Sequence, residues 1–238
     1  MAQFLVTGAN RGLGIEFVRQ LLARGDRVIA CCRHVARASE LNRLSGEYPG
    51  HLKVLPLDVA EPRSIGELAR EIDMLDVRID TLINNAGVLT PGEAFGAVEP
   101  KSLDQAFATN AAGPFLLTQA LAPRLADAAK VIAISSGLGS IARAARFGTP
   151  SYNISKAALN MVVRMLGFAL AERRIAQACR GVSTQQAVAP LGQHAAGRGG
   201  RHLLQCQSAR GNTGVGFELL GQGIPQAGPE EHQRRRDD

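Results

Sequence analysis

The first 172 residues predict an α/β fold, a doubly wound parallel sheet with helices on both faces. Two observations carry this. Short apolar runs alternate with segments of helical period, and a glycine-rich turn, "TGANRGLG", follows the first run directly. A chain of 238 residues, 45% apolar and 20% charged, can also bury one large core as a single domain.

The elements follow in order. "QFLVT" is a short apolar strand, and "GLGIEFVRQLLARG" follows with helical spacing and a closing glycine. "RVIACC" is the second strand. "RASELNRLSGEY" is a helix with Leu41 and Leu44 three apart, and "HLKVLPLDV" is the third strand. "EPRSIGELAREIDML" opens a helix with Pro62 in the first turn, where a missing N–H costs nothing. "IDTLINNAG" is the fourth strand running into a turn. A helical region spans about 100 to 128, interrupted by "AAGPF", and "AKVIAIS" is the fifth strand. Residues 153 to 172 read as a helix whose apolar face comprises Ala157, Val162, Leu166, Phe168 and Leu170.

After about residue 176 the pattern fails. Residues 177 to 212 are rich in Gly, Gln, Arg and Ala and keep neither period, and "GVGFELLGQGIP" then offers one final strand near 215–220. The chain therefore divides into a regular α/β core over 1–176 and an atypical C-terminal region over 177–238, partly disordered or translated in a shifted frame.

Composition excludes several classes. No run reaches the eighteen or so apolar residues of a membrane helix. "MAQFLVTGAN" lacks the basic head and long apolar core of a secretory signal, so a cytoplasmic protein is expected. The four cysteines and five histidines have no ligand spacing, so no metal is expected. Of the net charge of +6, residues 173 to 238 carry +4, ending in "QRRRDD". That is a tail and not a nucleic-acid arm.

The chemistry-bearing groups lie at the ends of the strands. Thr7, Gly8, Asn10, Arg11, Gly12, Leu13 and Gly14 form a turn that can pass close to a phosphate, with the next helix supplying N–H donors. The same glycines would also suit a βα turn without ligand. A dinucleotide needs a carboxylate after the second strand if its ribose 2′-OH is free. Here Arg33 stands there and Arg11 lies in the turn, which favours a 2′-phosphate and so NADP over NAD. Asp58, followed by Val59, can accept from an adenine amino group or cap its own turn. In "NNAG", Asn84 and Asn85, with Ala86 and Gly87, can line a ligand or tie down loop backbone.

"TGANRGLG", "DV" at 58–59, "NNAG", Asn110, "ISS" at 134–136 and "YNISK" at 152–156 occur in an order and spacing that resembles the short-chain dehydrogenase/reductase family, nearest its sniffer-like carbonyl reductase and C-factor group. The resemblance implies a Rossmann sheet in the order 3-2-1-4-5-6-7, a nicotinamide cofactor and a catalytic tetrad of Asn110, Ser136, Tyr152 and Lys156. Tyr152 and Lys156 would also hold the nicotinamide ribose. Ser136 lies sixteen residues before Tyr152. The loop "GLGSIARAARFGTP" accounts for that long spacing, and Ser136 is preferred over Ser135 and Ser140. Chemically, a tyrosine with a pKa near ~10 exchanges protons poorly at neutral pH unless a neighbouring cation favours its phenolate. Lys156, one helical turn on, can supply that charge.

The family's Pro-Gly segment is expected near residue 182, where the chain reads "CRGVSTQQ"; "APLG" at 189–192 is a poor substitute. The reading is thus an NADP-dependent oxidoreductase acting on a small carbonyl or alcohol, most simply as a homodimer. The alternative is a nucleotide-binding signalling or regulatory protein with little turnover.

Overall fold

The computed structural model describes residues 1–173 and 176–181. Six parallel strands form one sheet: β1 (Gln3–Thr7), β2 (Arg27–Cys32), β3 (Leu52–Pro56), β4 (Ile79–Asn84), β5 (Leu125–Ser135) and β6 (Ala176–Gly181). Their order is β3-β2-β1-β4-β5-β6, the doubly wound arrangement expected. The helices are α1 (Gly12–Ala23), α2 (Ser39–Glu47), α3 (Pro62–Met74), α4 (Pro100–Phe107), α5 (Gly113–Leu121) and α6 (Pro150–Ala169).

Both faces of the sheet are buried, as near-continuous apolar strands require. One core gathers Leu5, Ile29, Leu82 and Val131 from the strands against Leu68, Ile72, Leu117 and Leu121 from α3 and α5. The other packs Val6, Val28, Ala30 and Ile83 against Val18, Leu21 and Leu22 of α1 and Leu41 and Leu44 of α2. Each such Leu, Ile or Val side chain contributes about 1.5–3 kcal/mol on burial. Their joint consequence is to fix the carboxyl ends of β1, β4 and β5 at one edge of the sheet. That edge carries the "TGANRGLG" and "NNAG" turns and the serines after β5. Among the described residues, no helix is long and apolar enough to cross a membrane.

Four elements differ from the sequence reading. "AAGPF" does not interrupt the helical region: a π-helical turn over Ala108–Ala112 joins α4 to α5. Such a turn absorbs one extra residue within a helix and marks functional sites. Helix ends at Leu121 and not near 128, because a 3₁₀ turn at Ala122–Arg124 leads straight into β5. β5 therefore starts four residues earlier than "AKVIAIS". It carries an irregularity where Ala128 takes a φ of 60° and the register with β4 shifts.

The third difference concerns α6, which begins at Pro150, so Tyr152 stands in its first turn. Its buried face comprises Ser155, Lys156, Leu159, Val163 and Leu166, while Phe168 is 57% exposed and Ala157 and Val162 are half-buried. The face follows i, i+3 and i, i+4 spacing from Tyr152 and Lys156, which apolar counting alone does not find. Last, "AQACRG" pairs in parallel with β5 from Lys130↔Ala176 to Ser135↔Gly181, within the stretch that showed no strand period. The "APLG" segment, the final strand near 215–220 and the rest of the suspected frame shift lie outside the described residues.

Candidate active site

At the β1 end, glycine does two different jobs. Gly8 and Gly12 adopt left-handed φ values of 61° and 55°, which glycine takes without steric cost. A Cβ on Gly8 would lie 2.9 Å from the Ala86 Cα, and one on Gly14 would lie 2.2 Å from the Gly8 carbonyl oxygen. Those two glycines let backbone close on backbone. A Cβ on Gly12 would meet nothing within 4 Å. Gly12 therefore faces open space beside the first turn of α1, which no side chain caps. Backbone N–H groups at a helix start, next to open space, suit an anion. Asn10 and Arg11 are exposed there, Leu13 is half-buried, and Arg33 is exposed just past the end of β2.

Hydrogen bonds lock this turn to the end of β4. The buried Thr7 hydroxyl donates to the Ile83 carbonyl at 3.4 Å and accepts from the N–H groups of Asn85 and Ala86, each at 3.0 Å. Asn85 Nδ2 donates back to the carbonyls of Thr7 at 2.9 Å and Gly8 at 3.1 Å. Of the two readings of Asn85, the structure shows the backbone tie. Asp58 likewise accepts from the Ala60 N–H at 3.0 Å, capping its own turn. Val59 is buried, and its carbonyl oxygen would lie 2.5 Å from a Cβ on Gly113. Asn84 donates to the Thr118 hydroxyl at 3.4 Å.

Asn110 sits in the π-helical turn, fully buried. Its Oδ1 accepts from the Val88 N–H at 2.8 Å, and its Nδ2 donates to the Val88 carbonyl at 2.8 Å and the Ser155 hydroxyl at 2.9 Å. Both amide protons are used, so the side chain is an anchor between the loop after β4 and α6. Gly87 passes close to both members of that side: its Cβ would stand 3.3 Å from Asn110 Oδ1 and 3.7 Å from Lys156 Nζ.

Tyr152 and Lys156 do share a helix face. The Lys156 Nζ lies 5.6 Å from the centroid of the Tyr152 ring and donates to the Ile134 carbonyl at 2.7 Å, with only 4% of the residue exposed. Contrary to the lowering expected from Lys156, burial raises the Tyr152 pKa above the ordinary tyrosine value, and a hydrogen bond with the Ser136 side chain, not the lysine, pulls it partway back. Ser135 is turned elsewhere, its hydroxyl donating to Asn160 Oδ1 at 2.8 Å. Ser136, Tyr152, Lys156 and Asn110 are thus brought to one end of the sheet.

Several supporting residues escaped sequence reading. Asn160 Nδ2 donates to the Gly139 carbonyl at 3.1 Å, tying the loop after β5 to α6. A Cβ on Gly139 would lie 2.7 Å from the Lys156 carbonyl carbon, so that loop lies directly on α6 at Lys156. Ser155 donates to the Tyr152 carbonyl at 2.7 Å. The signal for these was positional only: Ser155 lies three residues after Tyr152 and Asn160 four after Lys156, spacings that share a helix face.

Known proteins resemble the chain in sequence and in fold. A family model described as short chain dehydrogenase matches residues 3–191. The 1-hydroxy-2-glutathionyl-2-methyl-3-butene dehydrogenase of Rhodococcus sp. (strain AD45) is 33% identical over 162 residues, 68% of each chain. Among solved structures, the NADPH-bound carbonyl reductase from chicken fatty liver is 35% identical at a TM-score of 0.70, covering 75% of this chain and 78% of that one. The carbonyl reductase Sniffer of D. melanogaster is 30% identical at a TM-score of 0.69, covering 74% and 77%. The chain belongs to the short chain dehydrogenase family.

Proposed function

We propose that the chain is an NADP-dependent carbonyl reductase, with Tyr152 as the acid that protonates the substrate oxygen. The observation that carries this is the Tyr152 hydroxyl itself: burial keeps it protonated, Ser136 hydrogen-bonds it, and Lys156 lies against its ring. When bound, NADPH supplies the hydride that ends on the carbonyl carbon. The residues present fit it. Gly12 leaves open space beside the uncapped start of α1 for the pyrophosphate, and the exposed Arg11 and Arg33 suit a 2′-phosphate. Structural neighbours include a carbonyl reductase with NADPH bound and a short-chain dehydrogenase/reductase from Burkholderia multivorans with bound NADP.

The remaining roles follow from position. Ser136 donates to the carbonyl oxygen of the substrate and stabilises the charge that grows there. Tyr152 gives its proton to that oxygen. Lys156, an ammonium beside the phenol, stabilises the phenolate left behind and holds the nicotinamide ribose. Asn110, its amide committed to Val88 and Ser155, fixes the loop after β4 against α6. Tyr152 so placed acts on a small carbonyl compound in reduction or on an alcohol in reverse.

A homodimer is part of this reading. Ile154, Met161, Met165 and Phe168 are all exposed on the face of α6 opposite its buried one, with Phe107 and Leu116 exposed along α4 and α5. A helix with two apolar faces needs a second partner, and another copy of the chain supplies it.

The test is loss of NADPH absorbance when small aldehydes, ketones and quinones are added. Turnover on at least one class is expected. A folded, cofactor-bound sample inactive on every class would reject the reductase in favour of a nucleotide-binding regulatory protein.

A further inference from the structure

We propose that Glu93, on the loop after β4, is a positioning residue that clamps the start of the catalytic helix and so sets Tyr152. The helix begins badly by itself. Thr149, its N-cap, takes a left-handed φ of 43° and makes no capping hydrogen bond from its side chain. A β-branched residue is strained in that region and persists there only when its surroundings hold it. Pro150 brings no N–H. Glu93 supplies the missing cap from a different part of the chain: its Oε2 accepts from the Ser151 N–H at 3.2 Å and the Ser151 hydroxyl at 2.8 Å. Ser151 is only 1% exposed, and the other Glu93 oxygen, Oε1, is buried without a hydrogen-bond partner. A carboxylate in this place also complements the positive end of a twenty-residue helix.

A second contact joins the same two segments. Phe95 meets Phe147 edge to face, with ring centroids 5.7 Å apart, linking the Glu93 loop to the run that enters α6. Between them, the carboxylate and the ring pair hold Gly148, Thr149 and Pro150 in a fixed path. Tyr152 is one residue beyond Ser151, so releasing the clamp moves the proton donor relative to Ser136. The cofactor turn after β1 shares no hydrogen bond with Glu93, so its affinity should survive.

This role rests on the reductase reading, and the experiment separates the two. In Glu93→Ala, kcat is expected to fall about 10- to 100-fold, the scale of a small misplacement of a reacting group. NADPH affinity, read by nicotinamide fluorescence, should stay within about threefold. Amide exchange in a peptide covering Ser151–Asn153 should quicken about 3- to 30-fold, as for a lost helix cap. Glu93→Gln keeps an acceptor oxygen and should restore both kcat and exchange. Should Glu93→Ala not fold, Ser151→Ala removes one of the two bonds and should give a smaller change of the same kind. Unchanged kcat and exchange, or a loss of kcat matched by an equal loss of NADPH affinity and not rescued by Gln, would overturn the clamp. If the native chain shows no turnover at all, the reductase reading fails alone. Exchange then decides the clamp: faster exchange in Glu93→Ala supports it, and unchanged exchange rejects it.

Discussion

The two halves of the site are built by opposite means. Around β1, binding surface comes from backbone: Gly8 and Gly14 let chains approach, Gly12 leaves space, and exposed Arg11 and Arg33 stand at the edge. Around α6, the proposed chemistry rests on side chains held by other side chains. Asn110, Ser155, Asn160 and Glu93 each bridge segments far apart in sequence. The first half is a surface that tolerates loss of a contact at modest cost. The second is a network in which the reacting hydroxyl is correct only if its supports are. Binding and chemistry should therefore fail separately.

The largest expected effect is on chemistry alone. Tyr152→Phe keeps the ring that meets Lys156 and removes the hydroxyl, so kcat should fall by about a hundred- to ten-thousandfold. NADPH affinity, measured by fluorescence, should move only a few-fold. A large loss of affinity in that variant would merge the two halves and break the comparison.

Ser136→Ala comes next, with kcat expected to fall about a hundred- to a thousandfold as one donor to the developing oxyanion is lost. It also carries a sign in pH. Burial raises the Tyr152 pKa and the Ser136 hydrogen bond lowers it. In the proposed role of proton donor, Tyr152 should support reduction at all pH values below its pKa, with activity declining only as pH rises through it. That decline should lie above about pH 10, the ordinary tyrosine value. Removing Ser136 removes the lowering influence, so the basic limb of the pH–rate profile should shift further up. A downward shift would assign the hydrogen bond the wrong effect.

Arg33→Asp is the smallest change and belongs to the other half. Loss of a charge-assisted bond to a 2′-phosphate should weaken NADPH binding by about ten- to a hundredfold and turn the preference toward NADH, with kcat at saturating cofactor nearly unchanged. Preference for NADH in the native chain would contradict the reading of Arg11 and Arg33.

This division also explains what was legible in the sequence. The glycine turn could be read because residue identity and backbone demand coincide: only glycine meets the φ values at positions 8 and 12 cheaply. The parallel sheet followed from alternating apolar runs, since a sheet buried on both faces leaves that trace, whereas the strand order came from the family resemblance. Tyr152 and Lys156 were legible as a spaced pair, but Glu93, 58 residues from Ser151, carried no local mark of its role. The uncapped start of α6 and the π turn at Asn110 were invisible for the same reason: tertiary contacts support them, not propensity. Asp58 and Asn85 were ambiguous because a carboxylate or amide beside a turn serves backbone as readily as ligand. β6 shows the converse case, in which pairing along β5 organises a segment without apolar period.

The central claim is that one chain both holds NADPH on the backbone turn and delivers a proton from the side-chain network. The most direct measurement follows both in a single sample: NADPH binding by fluorescence, then its oxidation after a carbonyl substrate is added. The prediction is saturable binding followed by substrate-dependent oxidation, with one alcohol formed per NADPH consumed. Saturable binding with no oxidation across aldehydes, ketones and quinones would contradict it.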